Sequence, residues 1–145
     1  MRFFIKFSGD MKYLFALMDD ETRYWIAQEV ADKKYKYDAQ GLFHEGKTIT
    51  RKRPNVLITD GLPAYHDAFN REFYQNSNPR SLHVNSIKLN GDNNNNKQER
   101  LNGEIRDREK VMRGLKKKDT YVLKGYQIYH NFIRPHEGID GKTPC

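Results

Sequence analysis

The sequence predicts an α/β fold, a mixed sheet of three antiparallel strands plus parallel strands, flanked by helices. Three observations predict it. Short apolar and aromatic runs separated by turn clusters open the chain, at Phe3–Phe7, Tyr13–Met18 and Arg23–Val30. A Val-Leu-Ile run at Val56–Ile58 then leads through Thr59 to a carboxylate, Asp60, with Gly61 and Pro63 directly after it. Two helical periodicities fill the last third. A chain of 145 residues with 37% hydrophobic residues is long and apolar enough to bury a core, which argues against general disorder. Its net charge of +7 suits a polyanionic partner. The single cysteine, Cys145, rules out a disulfide framework or a cysteine-based zinc cluster. No stretch approaches the roughly 20 apolar residues of a membrane span, and Asp10 and Lys12 interrupt any signal-peptide core. An intracellular, cytoplasmic protein without a membrane partner is expected.

Ser8–Gly9–Asp10 and Asp19–Thr22 are the turns that would fold the first three runs into an antiparallel meander. A helix is expected from Asp38 to about Glu45, with Gly46 as its stop. The basic segment Lys47–Arg53 leads into the central strand, read as buried on both faces and ending at Asp60. Leu62–Phe73 carries Leu62, Tyr65, Phe69 and Phe73 at helical spacing, with Pro63 suited to a first turn. Asn76–Arg80 is a loop, and Leu82–Leu89 contains another strand. The Asn-rich Asn90–Lys97 is read as a loop, followed by a long helix over Gln98–Gly114. Asp119–Ile133 is a last helix with Val122, Tyr126, Tyr129 and Ile133 as its buried stripe. Arg134–Cys145 is a turn-rich tail.

Asp60, at the carboxyl end of a strand, is where open α/β sheets place ligand chemistry; the plain alternative is a turn or cap residue. On the long helix, steps of three and four put Glu99, Asn102, Arg106, Lys110, Arg113 and Lys117 on one face. One acid heads four cations. That stripe suits DNA phosphates, against the alternative of a solvated helix with internal ion pairs. If Glu99 approaches Asp60, the two carboxylates suit Mg²⁺, a hard ion that takes oxygen ligands.

Four motifs in order carry a family resemblance: Ala16–Trp25 (ALMDDETRYW), Ile58–Tyr65 (ITDGLPAY), Gln98–Gly114 (QERLNGEIRDREKVMRG) and Tyr129–Pro144 (YHNFIRPHEGIDGKTP). Together they resemble the catalytic domain of prokaryotic insertion-sequence transposases of the Asp-Asp-Glu (DDE) type, in the retroviral integrase and RNase H-like superfamily. The resemblance implies an RNase H-like fold and a DNA polynucleotidyl transferase using Mg²⁺ or Mn²⁺. Asp60 would be the second metal ligand and Glu99 the third. Transposon ends and target DNA would be the partners. The cations Arg100, Arg106, Lys110, Arg113, Lys116 and Lys117 are the candidate DNA contacts, with the alternative that Lys116–Lys118 simply suit the carboxyl end of the long helix electrostatically. In such enzymes two metal ions serve attack on a phosphodiester by water and then by a 3′-hydroxyl. The offset of 39 positions between Asp60 and Glu99 is longer than the family pattern, and the Asn-rich loop would absorb it.

Matching Lys6 and Gly9 to the family's first-strand pattern sets Met1 where the first catalytic Asp belongs. The amino-terminal DNA-binding region is likewise expected to be missing, and activity to be impaired. Asp19 is the candidate substitute, because a turn centred on Gly9 would set it near position 1; its structural alternative is a turn residue bonding local backbone. A non-catalytic DNA-binding or dimerising remnant, associating with itself or with an intact transposase, is the rival reading. An RNase H-like nuclease acting on another nucleic acid is a third. The five histidines (His44, His66, His83, His130 and His136) lack zinc-motif spacing and read as surface or hydrogen-bonded core residues. Trp25 and most of the tyrosines read as core residues rather than base-stacking platforms.

Overall fold

The computed structural model describes residues 2–7, 10–31, 36–59, 62–84, 96–111 and 121–145; for 2–7, 10–12, 36, 96–99, 102 and 109–111 it describes the backbone alone. Strands β1 (Arg2–Phe7), β2 (Asp10–Met18) and β3 (Trp25–Ala31) form an antiparallel sheet in chain order. Phe7 pairs with Asp10, so only Ser8 and Gly9 separate the first two strands. The hairpin is tighter than the turn expected from sequence, and β2 starts three residues earlier. Arg23, expected in β3, precedes it: its φ of 64° is incompatible with extended strand, and the turn closes through Asp19 N donating to Tyr24 O at 2.9 Å.

Alternation along β2 divides the core. Leu14 and Ala16 face one side, where they meet Trp25, Val30, Leu101, Ile105 and Leu123. Phe15 faces the other, against Ala27, Leu42, Phe43, Tyr65 and Phe69. Leu14, Phe15 and Trp25 are fully buried. Helix α1 (Lys36–Thr50) and helix α2 (Pro63–Glu72) supply the second layer. They are also tied by polar contacts: Gln40 Nε2 donates to Glu72 Oε1 at 3.0 Å, and Lys47 Nζ to the Glu72 carbonyl at 3.0 Å.

Gly46 does not stop α1. A Cβ there would lie 2.5 Å from Leu17 Cδ2, so the glycine lets the helix press against β2, and the helix continues to Thr50. It ends at Arg51, in the left-handed region at φ 55°. Strand β4 (Val56–Ile58) is shorter and less buried than the central strand expected from sequence: Leu57 is buried, while Val56 is 51% exposed. It pairs in parallel with β5 (Leu82–Val84) across α2, a β-α-β unit. Among the described residues these two strands form their own small sheet, so the single mixed sheet centred on Asp60 is not what the ladders draw. The remainder of the predicted strand up to Leu89 and the Asn-rich residues 90–95 lie outside the described residues.

Helix α3 (Asn96–Val111) begins two residues earlier than expected, and its predicted end at 112–114 lies outside the described residues. Helix α4 (Tyr121–Ile128) does not continue as one α-helix. It widens into a π-turn, Tyr129–Ile133, closed by Arg134 N donating to Tyr129 O at 2.9 Å. The widening corrects the predicted stripe. Tyr129 and Ile133 are exposed, and Leu123, Gln127, His130 and Asn131 are the buried positions. A short 3-10 turn, Glu137–Ile139, follows, and an isolated bridge between His136 and Lys142 closes the tail. No helix among the described residues is long and apolar enough to cross a membrane.

Candidate nucleic-acid interface and metal-binding acids

The carboxyl end of β4 is held by its neighbour strand. Thr59, 3% exposed, donates its N–H to Val84 O at 3.0 Å, and its hydroxyl lies 2.8 Å from His83 Nε2. His83 in turn stacks on Phe69 and on His66, with centroids 4.9 and 6.0 Å away. Burial pushes its pKa down, and its electrostatic interaction with His66 adds to the effect. The residue immediately before Asp60 is thereby fixed on both backbone and side chain. Asp60 itself lies outside the described residues.

Helix α3 buries Leu101 and Ile105 against the sheet and leaves Arg100 and Arg106 exposed. Glu99 and Lys110 are on this helix, but their side chains lie outside the described residues. Arg113, Lys116 and Lys117 lie outside them altogether. Glu99 and Arg106 are seven residues apart, two turns on one face, so the helical backbone gives the predicted stripe its register as far as Lys110. The meeting of Asp60 with Glu99 involves atoms outside the described residues. Among those described, no group of three His, Cys, Asp or Glu side chains is placed to hold a metal ion.

Asp19 closes its own turn. Its Oδ2 accepts from the Thr22 N–H at 2.8 Å and from the Thr22 hydroxyl at 2.6 Å. The hairpin register differs from the one that set Asp19 near position 1: Arg2 faces Phe15, so Asp19 lies four residues beyond the partner of Arg2.

The carboxyl-terminal segment forms a feature that sequence reading missed. Asn131 accepts from the Trp25 N–H at 2.7 Å and donates to the Trp25 carbonyl at 2.9 Å, while Gln127 Nε2 donates to the Trp25 and Ile26 carbonyls. His130 Nε2 donates to the Arg23 carbonyl at 2.8 Å, and His136 Nε2 to the His130 carbonyl at 3.1 Å. These side chains clamp the start of β3. Beside the clamp a cleft of about 520 Å³ opens between α3 and the tail, with Arg23, Arg100, His130, Arg134 and His136 in its wall. Arg134 pairs with Glu104 across it. The only sequence signal was the set of polar residues within an apolar stripe, and helical spacing alone does not locate a π-turn.

The three-layer arrangement, with an antiparallel meander followed by a β-α-β unit, defines the class. It is shared with a chain in a cryo-electron microscopy structure of the simian T-cell lymphotropic virus intasome in complex with PP2A regulatory subunit B56 gamma. The TM-score is 0.69 at 14% sequence identity, over 94% of this chain and 48% of that one, so this chain spans about half the length of its structural neighbour. At that identity the likeness is one of fold alone. The profile of the DDE domain of IS240-type transposases matches residues 2–136, and the chain belongs to this family. No curated protein matches it.

Proposed function

We propose that this protein acts on DNA as a transposition protein, binding the duplex along the exposed face of α3 and holding a divalent metal ion between Asp60 and Glu99. The observation that carries the reading is the family match, which runs through both acids and the whole of α3. The donor set supports it: two carboxylates offer hard oxygen ligands, which fit Mg²⁺ or Mn²⁺ and disfavour softer ions. When bound, such an ion would offset charge on a phosphodiester. The chain's own contributions are positional. Thr59 and His83 fix the strand end that leads to Asp60. Leu101 and Ile105 seat α3 so that Arg100 and Arg106 face solvent, where DNA phosphates would lie.

Asp60 and Glu99 are two of the three acids the family resemblance calls for, and Asp19, the candidate for the third, is occupied in its turn. We therefore propose weak strand cleavage by these residues alone, with DNA binding retained. Association with a second copy or an intact relative is part of the same proposal. Incubating supercoiled plasmid with the protein and Mg²⁺ or Mn²⁺ tests it. Little or no nicking together with salt-dependent duplex binding is expected. Robust metal-dependent nicking abolished by Asp60→Asn would show that the chain is a competent enzyme. An absence of duplex binding at low salt would contradict the DNA reading itself.

A further inference from the structure

We propose that the cleft between α3 and the carboxyl-terminal tail is a seat for a DNA backbone phosphate, with Arg23 as its principal ligand. The proposal rests on the DNA reading above and extends it to a residue outside the α3 stripe. Arg23 takes a left-handed backbone, φ 64°, which is costly for a long side chain and tends to persist where surrounding contacts impose it. Those contacts are visible: His130 Nε2 holds its carbonyl, and Asp19 O accepts its N–H at 3.1 Å. The guanidinium lies against the backbone of Gly138, where a Cβ would stand 2.7 Å from one terminal nitrogen and 3.4 Å from Nε. Its Nε is buried and has no hydrogen-bond partner among the described residues. A buried charged donor without an acceptor is destabilising unless something supplies one.

The wall of the cleft carries three guanidiniums, Arg23, Arg100 and Arg134, and three carboxylates, Glu104, Asp107 and Glu137. Within the cleft, Glu104 is committed to Arg134, and the other two acids of the wall, Asp107 and Glu137, are exposed. Arg100, one position after Glu99 on α3, lines the same cleft. A guanidinium fork matches a phosphate oxygen pair in geometry and charge, and about 520 Å³ admits a phosphodiester with its attached sugar.

Fluorescence anisotropy of a labelled duplex across a salt series tests the seat. Each phosphate contact contributes about 0.9 to the slope of log K against log salt. Arg23→Ala is expected to lower the slope by about 0.9 and to weaken binding about tenfold at moderate salt. Gly138→Ala leaves every charge in place but displaces the guanidinium, whose flexible end can yield without unfolding the chain. It is expected to reproduce most of the loss. Arg71→Ala, an exposed cation at the end of α2 away from the cleft, is expected to change the slope far less. Unchanged slopes in both Arg23→Ala and Gly138→Ala, with the wild type binding normally, would overturn the seat and leave the DNA reading standing. An equal effect from Arg71→Ala would also overturn it, in favour of general electrostatic attraction. A wild type that binds no duplex would overturn both readings together.

Discussion

Trp25 and Arg23 are two residues apart, and the carboxyl-terminal segment meets both, but their polar groups end up in opposite conditions. At Trp25 the backbone N–H and carbonyl are both taken by Asn131, with Gln127 adding a second donor to the carbonyl. At Arg23 the backbone is held by His130, while the side chain keeps a buried N–H with no partner among the described residues. Complete pairing of buried polar groups is what a structural joint requires. An unpaired, charged group in a strained residue beside a cleft is what a binding site tolerates. The comparison assigns the clamp to stability and the cleft to recognition.

The largest effect expected from breaking the clamp comes from Trp25→Ala. It empties a fully buried site in the core layer shared with α3 and should cost about 3–5 kcal/mol in urea unfolding. Asn131→Ala removes the acceptor of the Trp25 N–H, and about 2–3 kcal/mol should be lost in the same measurement. The salt slope of DNA binding should stay at the wild-type value in folded Asn131→Ala. A lowered slope there would blur the division between joint and site. Asp19→Ala is smaller, about 1 kcal/mol, because the residue caps an exposed turn. Any metal-dependent nicking should be unaffected by it, whereas loss of nicking in a folded Asp19→Ala protein would make Asp19 the substitute acid.

The smallest effect is on pH dependence. His130 belongs to both regions, with Nε2 in the clamp and Nδ1 among the unpaired atoms. Burial lowers its pKa, outweighing the hydrogen bond to the Arg23 carbonyl, and burial lowers that of His83 as well. With folded values below the ordinary one of about 6.5, the unfolded chain binds more protons as the pH falls. The stability from the two neutral rings is therefore fully present above about pH 6.5 and is lost as the pH drops through their folded pKa values. Urea midpoints should fall between neutral and mildly acidic pH, and His130→Gln should flatten that fall. A His130→Gln protein with the wild-type slope would show that His130 does not contribute to it.

The parts of the fold read from sequence were those where one local signal dominates. The strand runs before Ala31, Pro63 opening α2, and the inward Leu101 and Ile105 on α3 follow from alternation and helical spacing. Gly46 was misread because a glycine that ends a helix and one that admits a neighbour look alike in sequence; the difference lies in Leu17, far along the chain. The π-turn was missed for a related reason. Tyr129 and Ile133 fit a regular stripe, but the backbone groups of Arg23 and Trp25 draw His130 and Asn131 inward instead. The Asp19 register failed by the length of one turn, since Ser8 and Gly9 alone join the first two strands. Arg23 gave no signal, because its role depends on a tail more than a hundred residues later.

The central claim is that Asp60 and Glu99 share a divalent ion, and titration of Mn²⁺ followed by electron paramagnetic resonance reads it most directly. Wild type, Asp60→Asn and Glu99→Gln would be compared, each bound to duplex DNA. The account predicts a bound Mn²⁺ in the wild type that is lost or much weakened in both variants. Mn²⁺ binding of equal strength in all three proteins would contradict it.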